Sequence, residues 1–116
     1  MYDKKLTDTT RLSKNRRSQR IEMTVPVVVY RSQREGPQFY ENTHALVISA
    51  HGALMDLTDT VAPRQKLRMQ NPESGESLEC RVVSVKKERF GPPKVAVEFI
   101  QPAPRFWGIA FPPADW

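Results

Sequence analysis

Two short segments hold the residues best suited to gripping a ligand. The first is NRRSQR, residues 15–20, where Arg16 and Arg20 flank three residues and Arg17 stands beside the first. Guanidinium groups offer fork-shaped, charge-assisted donors that fit phosphate, stack on planar bases and pair with the O6/N7 edge of guanine. The second is VISAHG, residues 47–52. Here Gly52 permits a positive φ and close approach of a ligand to backbone N–H groups, and the Ser49 hydroxyl can donate or accept. Each segment also has a plainer reading: a basic run is commonly a solvated tail, and an S-x-x-G gap occurs in ordinary hairpins.

Other chemistry has little support. The chain contains no GxxxxGK phosphate cradle, no GxSxG elbow and no HExxH, and acids are scattered rather than paired for acid–base work. Ser84-Val-Lys-Lys matches SxxK only by composition, since on a strand the helical spacing of that motif is lost. The single cysteine, Cys80, rules out an intrachain disulfide framework, and with two histidines, His44 and His51, it falls short of any zinc spacing. No catalytic residue, metal site or cofactor is expected.

The elements that must position these residues read as strands. EMTVPVVVYR sets Met23, Val25, Val27 and Val29 at alternate positions, the period of a strand with one buried face. Pro26 places that strand at an edge or beside a bulge. REGP, residues 34–37, supplies a turn, and further strands are expected over about 38–49, 53–57 and 66–70. In the strand over 38–49, Leu46 and Ile48 face the core, with Asn42 and His44 on their parity, while Val47 and Ser49 point outward. LECRVVSVKKER forms a long fifth strand whose apolar parity switches, so a bulge is expected near Val82 and Val83. Val95, Val97 and Phe99 alternate in a sixth. No stretch of ten residues shows a 3.6-residue period, and six short strands with Gly/Pro turns predict an all-β fold, a six-stranded antiparallel barrel in preference to a sandwich.

Charge divides the chain. Residues 1–20 carry seven Lys/Arg against Asp3 and Asp8, whereas from Ile21 onward eleven bases meet eleven acids. The reading is therefore a flexible basic tail over 1–20, a barrel over 21–100 and a Pro/aromatic segment over 101–116. The aromatics of that last segment are expected to cap a barrel end, the alternative being an exposed ligand for a partner. The N-terminus lacks the apolar core of a signal peptide and no stretch nears 18 apolar residues, so a cytoplasmic protein without a membrane span is expected. DNA or RNA binding is not expected, because the body has no net positive charge and offers no identifiable aromatic platform.

Taken together, an RxxxR at the entrance of a β domain and an S-x-x-G about 30 residues later resemble the PilZ domain, a bacterial receptor module for cyclic di-GMP whose motifs are RxxxR and [D/N]-x-S-x-x-G. The resemblance runs from about Asn15 to Ile100, with LECRVVSV and VAVEF similar to the last strands of that barrel. It implies that Arg16 and Arg20, with Arg17 as auxiliary, wrap the ligand's phosphates and bases, that Ser49 and Gly52 belong to the guanine-holding motif, and that occupancy is relayed to a downstream protein partner. Val47 departs from the pattern, standing where the family has Asp or Asn. A base edge left unpaired costs about 1–3 kcal/mol, or roughly 5- to 150-fold in affinity. The resemblance therefore leaves two functions open, a cyclic di-GMP receptor and an adaptor of the same fold that has lost the nucleotide and works through protein contacts. His51 lies within the turn and reads as a solvated side chain, with a contact to base or phosphate as the alternative.

Overall fold

A computed structural model describes residues 20–31 and 40–109. Among them are six strands: β1 (Ile21–Arg31), β2 (Tyr40–Ile48), β3 (Gly52–Asp56), β4 (Lys66–Gln70), β5 (Ser77–Lys86) and β6 (Lys94–Phe99). All neighbours are antiparallel, and the order β1-β2-β3-β6-β5-β4 closes on itself through the β1–β4 pair. Closure removes free sheet edges, and a six-stranded barrel is narrow enough for side chains to fill it. Val27, Val29, Ala45, Ile48, Met55, Leu67, Met69, Val82 and Val95 form that filling. Arg16 of the RxxxR pair and the auxiliary Arg17 lie outside the described residues, as do the expected turn at 34–37 and the end of the C-terminal segment.

Three bulges decide which side chains point in. One lies between Val82 and Ser84 on β5, where two apolar parities meet. A second, between Glu22 and Val25 on β1, turns Met23 out to 42% exposure, correcting the expected inward position. Pro26 follows at once, on a part of β1 that precedes the β4 pairing at Val28–Arg31, so its missing N–H costs that ladder nothing. The third falls between Ala45 and Val47 on β2. It puts Thr43, Ala45 and Ile48 inside, leaves Leu46 only half-buried and exposes Asn42 and His44, reversing the expected parity of that strand up to the bulge.

Antiparallel order sorts the connections by end. The start of β1, the β2–β3 turn and the β4–β5 turn share one end, and the β3–β4 loop and β5–β6 hairpin share the other. The chain after β6 packs at the first end. Phe106 and Trp107 are buried there, Phe106 edge-on to Phe99 at 5.8 Å and Trp107 stacked on Phe99 at 6.0 Å. Asn71, itself buried, donates from Nδ2 to the Phe106 carbonyl at 2.8 Å, and the Ala103 N–H donates to the Ala50 carbonyl at 2.8 Å.

Candidate functional site

The turn from Ser49 to Gly52 is built around one hydroxyl. Ser49 Oγ accepts from the N–H groups of Gly52 at 3.1 Å and His51 at 3.2 Å, and donates to the Gly52 carbonyl at 3.4 Å. The Ser49 N–H donates to the same carbonyl at 3.0 Å. A hydroxyl has one donor and two lone pairs, so this geometry uses its full capacity. Ser49 is buried rather than outward as expected, because β2 ends at Ile48 and the turn folds the hydroxyl back onto its own backbone N–H groups. Its part is to set the turn.

Gly52 also differs from expectation. Its φ is not in the left-handed region. A side chain is excluded instead by β6: a Cβ would run into the Val97 carbonyl oxygen and lie 3.2 Å from Glu98 Cα. The close approach that requires glycine is thus between two strands. The carbonyls of the turn are likewise engaged, with Trp107 Nε1 donating to Ser49 O at 2.9 Å and the Phe99 N–H to His51 O at 2.7 Å. Sequence reasoning missed Trp107 as a support of the turn, although an indole N–H in an aromatic cap must find an acceptor.

Outside the turn lies the surface that could receive a ligand. The register pairs Ile21 with Ile48 and Glu22 with Val47, so the first residues of β1 run beside the last of β2. Arg20, exposed, therefore precedes β1 at the end of the barrel where the turn begins. Outward-facing Val47 is flanked by exposed Glu22 on β1 and half-buried Leu54 on β3, and Leu54 pairs in turn with Ala96 on β6. Asn42 and His44, opposite Val28 and Pro26, continue the outer face of β2. The strip joins an apolar floor to one carboxylate, with Arg20 preceding the strand that carries that carboxylate. Among the described residues no group of three His, Cys, Asp or Glu converges as a metal site, and no helix is long and apolar enough to cross a membrane.

Comparison with known proteins gives two findings. The family described as PilZ domain matches residues 14–105. Solved structures share the fold, among them the Bacillus subtilis inhibitor of motility (MotI/DgrA), at 20% identity and a TM-score of 0.57, over 76% of this chain and 44% of that one. The chain thus spans less than half the length of that neighbour. Among curated protein sequences, none matches.

Proposed function

The chain belongs to the PilZ domain family, and on that premise we propose that it is a non-catalytic, cytoplasmic bacterial signalling module that binds cyclic di-GMP and relays occupancy to a protein partner. One observation carries the reading: the Ile21–Ile48 and Glu22–Val47 register brings the end of the arginine segment to the face beside the Ser49–Gly52 turn. Arg16, Arg17 and Arg20 hold the two phosphates and stack on the bases, their charge neutralised by the dianionic ligand. Val47, Leu54 and Ala96 form the floor under a base. Ser49 and Gly52 act by holding the turn's shape. Glu22, directly across the ladder from Val47, offers a carboxylate near the position where the family's Asp or Asn would stand.

Calorimetric titration with cyclic di-GMP tests this. Saturable binding is expected in the natural protein, lost on replacing Arg16 and Arg20 with Ala, weakened by Glu22→Gln and tightened by Val47→Asp. No heat at high micromolar ligand in the natural protein sinks the receptor reading. The apolar strip of Val47, Leu54 and Ala96 favours a second reading in that event, a PilZ-fold adaptor that docks a protein on this face. In that case Val47→Asp weakens capture of the partner instead of improving nucleotide binding.

A further inference from the structure

The loop between β3 and β4 reverses at Ala62-Pro63-Arg64-Gln65, where the Gln65 N–H donates to the Ala62 carbonyl at 3.1 Å. Proline at the second position and a positive φ at the third mark a type II turn, whose third position favours glycine or asparagine. Arg64 stands there with φ of 76°, the one non-glycine residue with positive φ among those described. An L side chain is strained in this region, so the turn costs stability at Arg64. The backbone holds it firmly: the Arg64 N–H donates to Val82 O at 2.7 Å and the Val82 N–H to Gln65 O at 2.9 Å, fastening the turn onto β5 at its bulge.

Beside the turn a depression of about 360 Å³ opens on the outer surface, lined by Arg64, Arg81, Val82, Val83 and Glu98. The β5 bulge leaves Val83 52% exposed there as an apolar wall. Across the ladders Lys66 stands opposite Arg81, and Arg81 opposite Glu98. Like charges facing each other across a ladder destabilise it. Glu98 relieves only part of this, through a loose 3.8 Å pair with Arg81. Among the described residues neither Arg64 nor Lys66 has an ion-pair partner. Three cations thus face one carboxylate beside an exposed aliphatic side chain.

We propose that this depression is a further binding site, for a small phosphate monoester with an apolar substituent. Arg64 and Arg81 donate to the phosphate, whose double charge matches two guanidiniums better than a carboxylate does. Lys66 adds to the local field, and the substituent lies on Val83. The volume is in the range of small-molecule sites. The site shares no residue with the arginine tail or the Ser49–Gly52 turn, so it stands or falls independently of the nucleotide reading.

Titration of the full chain with phenyl phosphate, followed by calorimetry, tests the proposal. Saturable binding is expected, tighter than for inorganic phosphate, which lacks the ring, and than for benzoate, which lacks the second charge. Arg64→Asn is expected to raise Tm by roughly 4 °C through relief of backbone strain while weakening phenyl phosphate about tenfold or more. Arg81→Gln weakens it comparably, and Glu98→Gln, which removes a competing carboxylate, tightens it. Absence of saturable binding, benzoate bound as tightly as phenyl phosphate, or Arg64→Asn raising Tm with affinity unchanged would each overturn the proposal. Sedimentation with vesicles of phosphatidylcholine and phosphatidate, abolished by the same two arginine variants, overturns the small-molecule assignment in favour of a lipid headgroup.

Discussion

At the scale of single residues, Ser49 and Gly52 are both engaged within the fold, Ser49 by the N–H groups of its own turn and Gly52 by close approach to β6. Replacing Ser49 with Ala strips the buried Gly52 N–H and the part-buried His51 N–H of their acceptor, and the buried loss costs about 1–3 kcal/mol. Gly52→Ala presses a methyl group into the Val97 carbonyl, an overpacking change worth about 1–3 kcal/mol. Both variants are expected to lower the urea midpoint in this way, and cyclic di-GMP binding is expected to weaken in proportion to the distortion of the turn. Unchanged stability with lost binding would instead return Ser49 to the role of a direct contact. The sequence made the importance of both positions legible through their types and spacing. It left their reasons hidden, because the partner that demands glycine is β6, about 45 residues further along the chain.

At the scale of elements, legibility tracked how clearly polar residues interrupt the apolar pattern. The bulge on β5 could be read in advance, since Cys80 and Val82 share one parity and Val83 and Val85 the other. The bulge on β2 could not, because Leu46, Val47 and Ile48 are all apolar and fit either register. On β1, Met23 extends the alternation of the valines and so conceals a bulge that turns it outward. The strand β4 was legible to the residue, Lys66–Gln70, from strict alternation between Leu67 and Met69. The segment after β6 has no period at all, and only its aromatic content pointed to the cap that Phe106 and Trp107 make. That cap bears on the site through one bond. Trp107→Phe keeps a ring against Phe99 but leaves the buried Ser49 carbonyl without its donor, so a loss of about 1–3 kcal/mol is expected in denaturant unfolding. A much smaller loss would mean that the cap acts through ring packing alone.

At the scale of the whole molecule, the chain separates two physical tasks. The barrel closes and buries its aliphatic side chains, and the chain from Ile21 onward carries eleven bases against eleven acids, while the excess charge belongs to residues 1–20. On the proposed reading, recognition of the anion draws on that excess charge, whereas core stability responds to burial. The thiol of Cys80 makes this testable. It is buried, opposite Leu67 on β4 and Phe99 on β6. Burial first, and the neighbouring Glu79 carboxylate second, push its pKa from 9.0 up to about 12. The unfolded chain loses this proton above pH 9 while the folded barrel keeps it. The thiol's contribution to stability is thus complete below pH 9 and declines as pH rises toward 12, by up to about 1.4 kcal/mol per pH unit. Urea unfolding at pH 7, 8, 9 and 10 should show the natural protein losing stability above pH 9 more steeply than Cys80→Ala, whose curve keeps only the slopes of the other titrating groups. Parallel curves for the two proteins would show that the thiolate is tolerated inside the barrel, which would require water or a compensating cation next to β5 and would contradict burial of the thiol among the apolar side chains that fill the closed barrel.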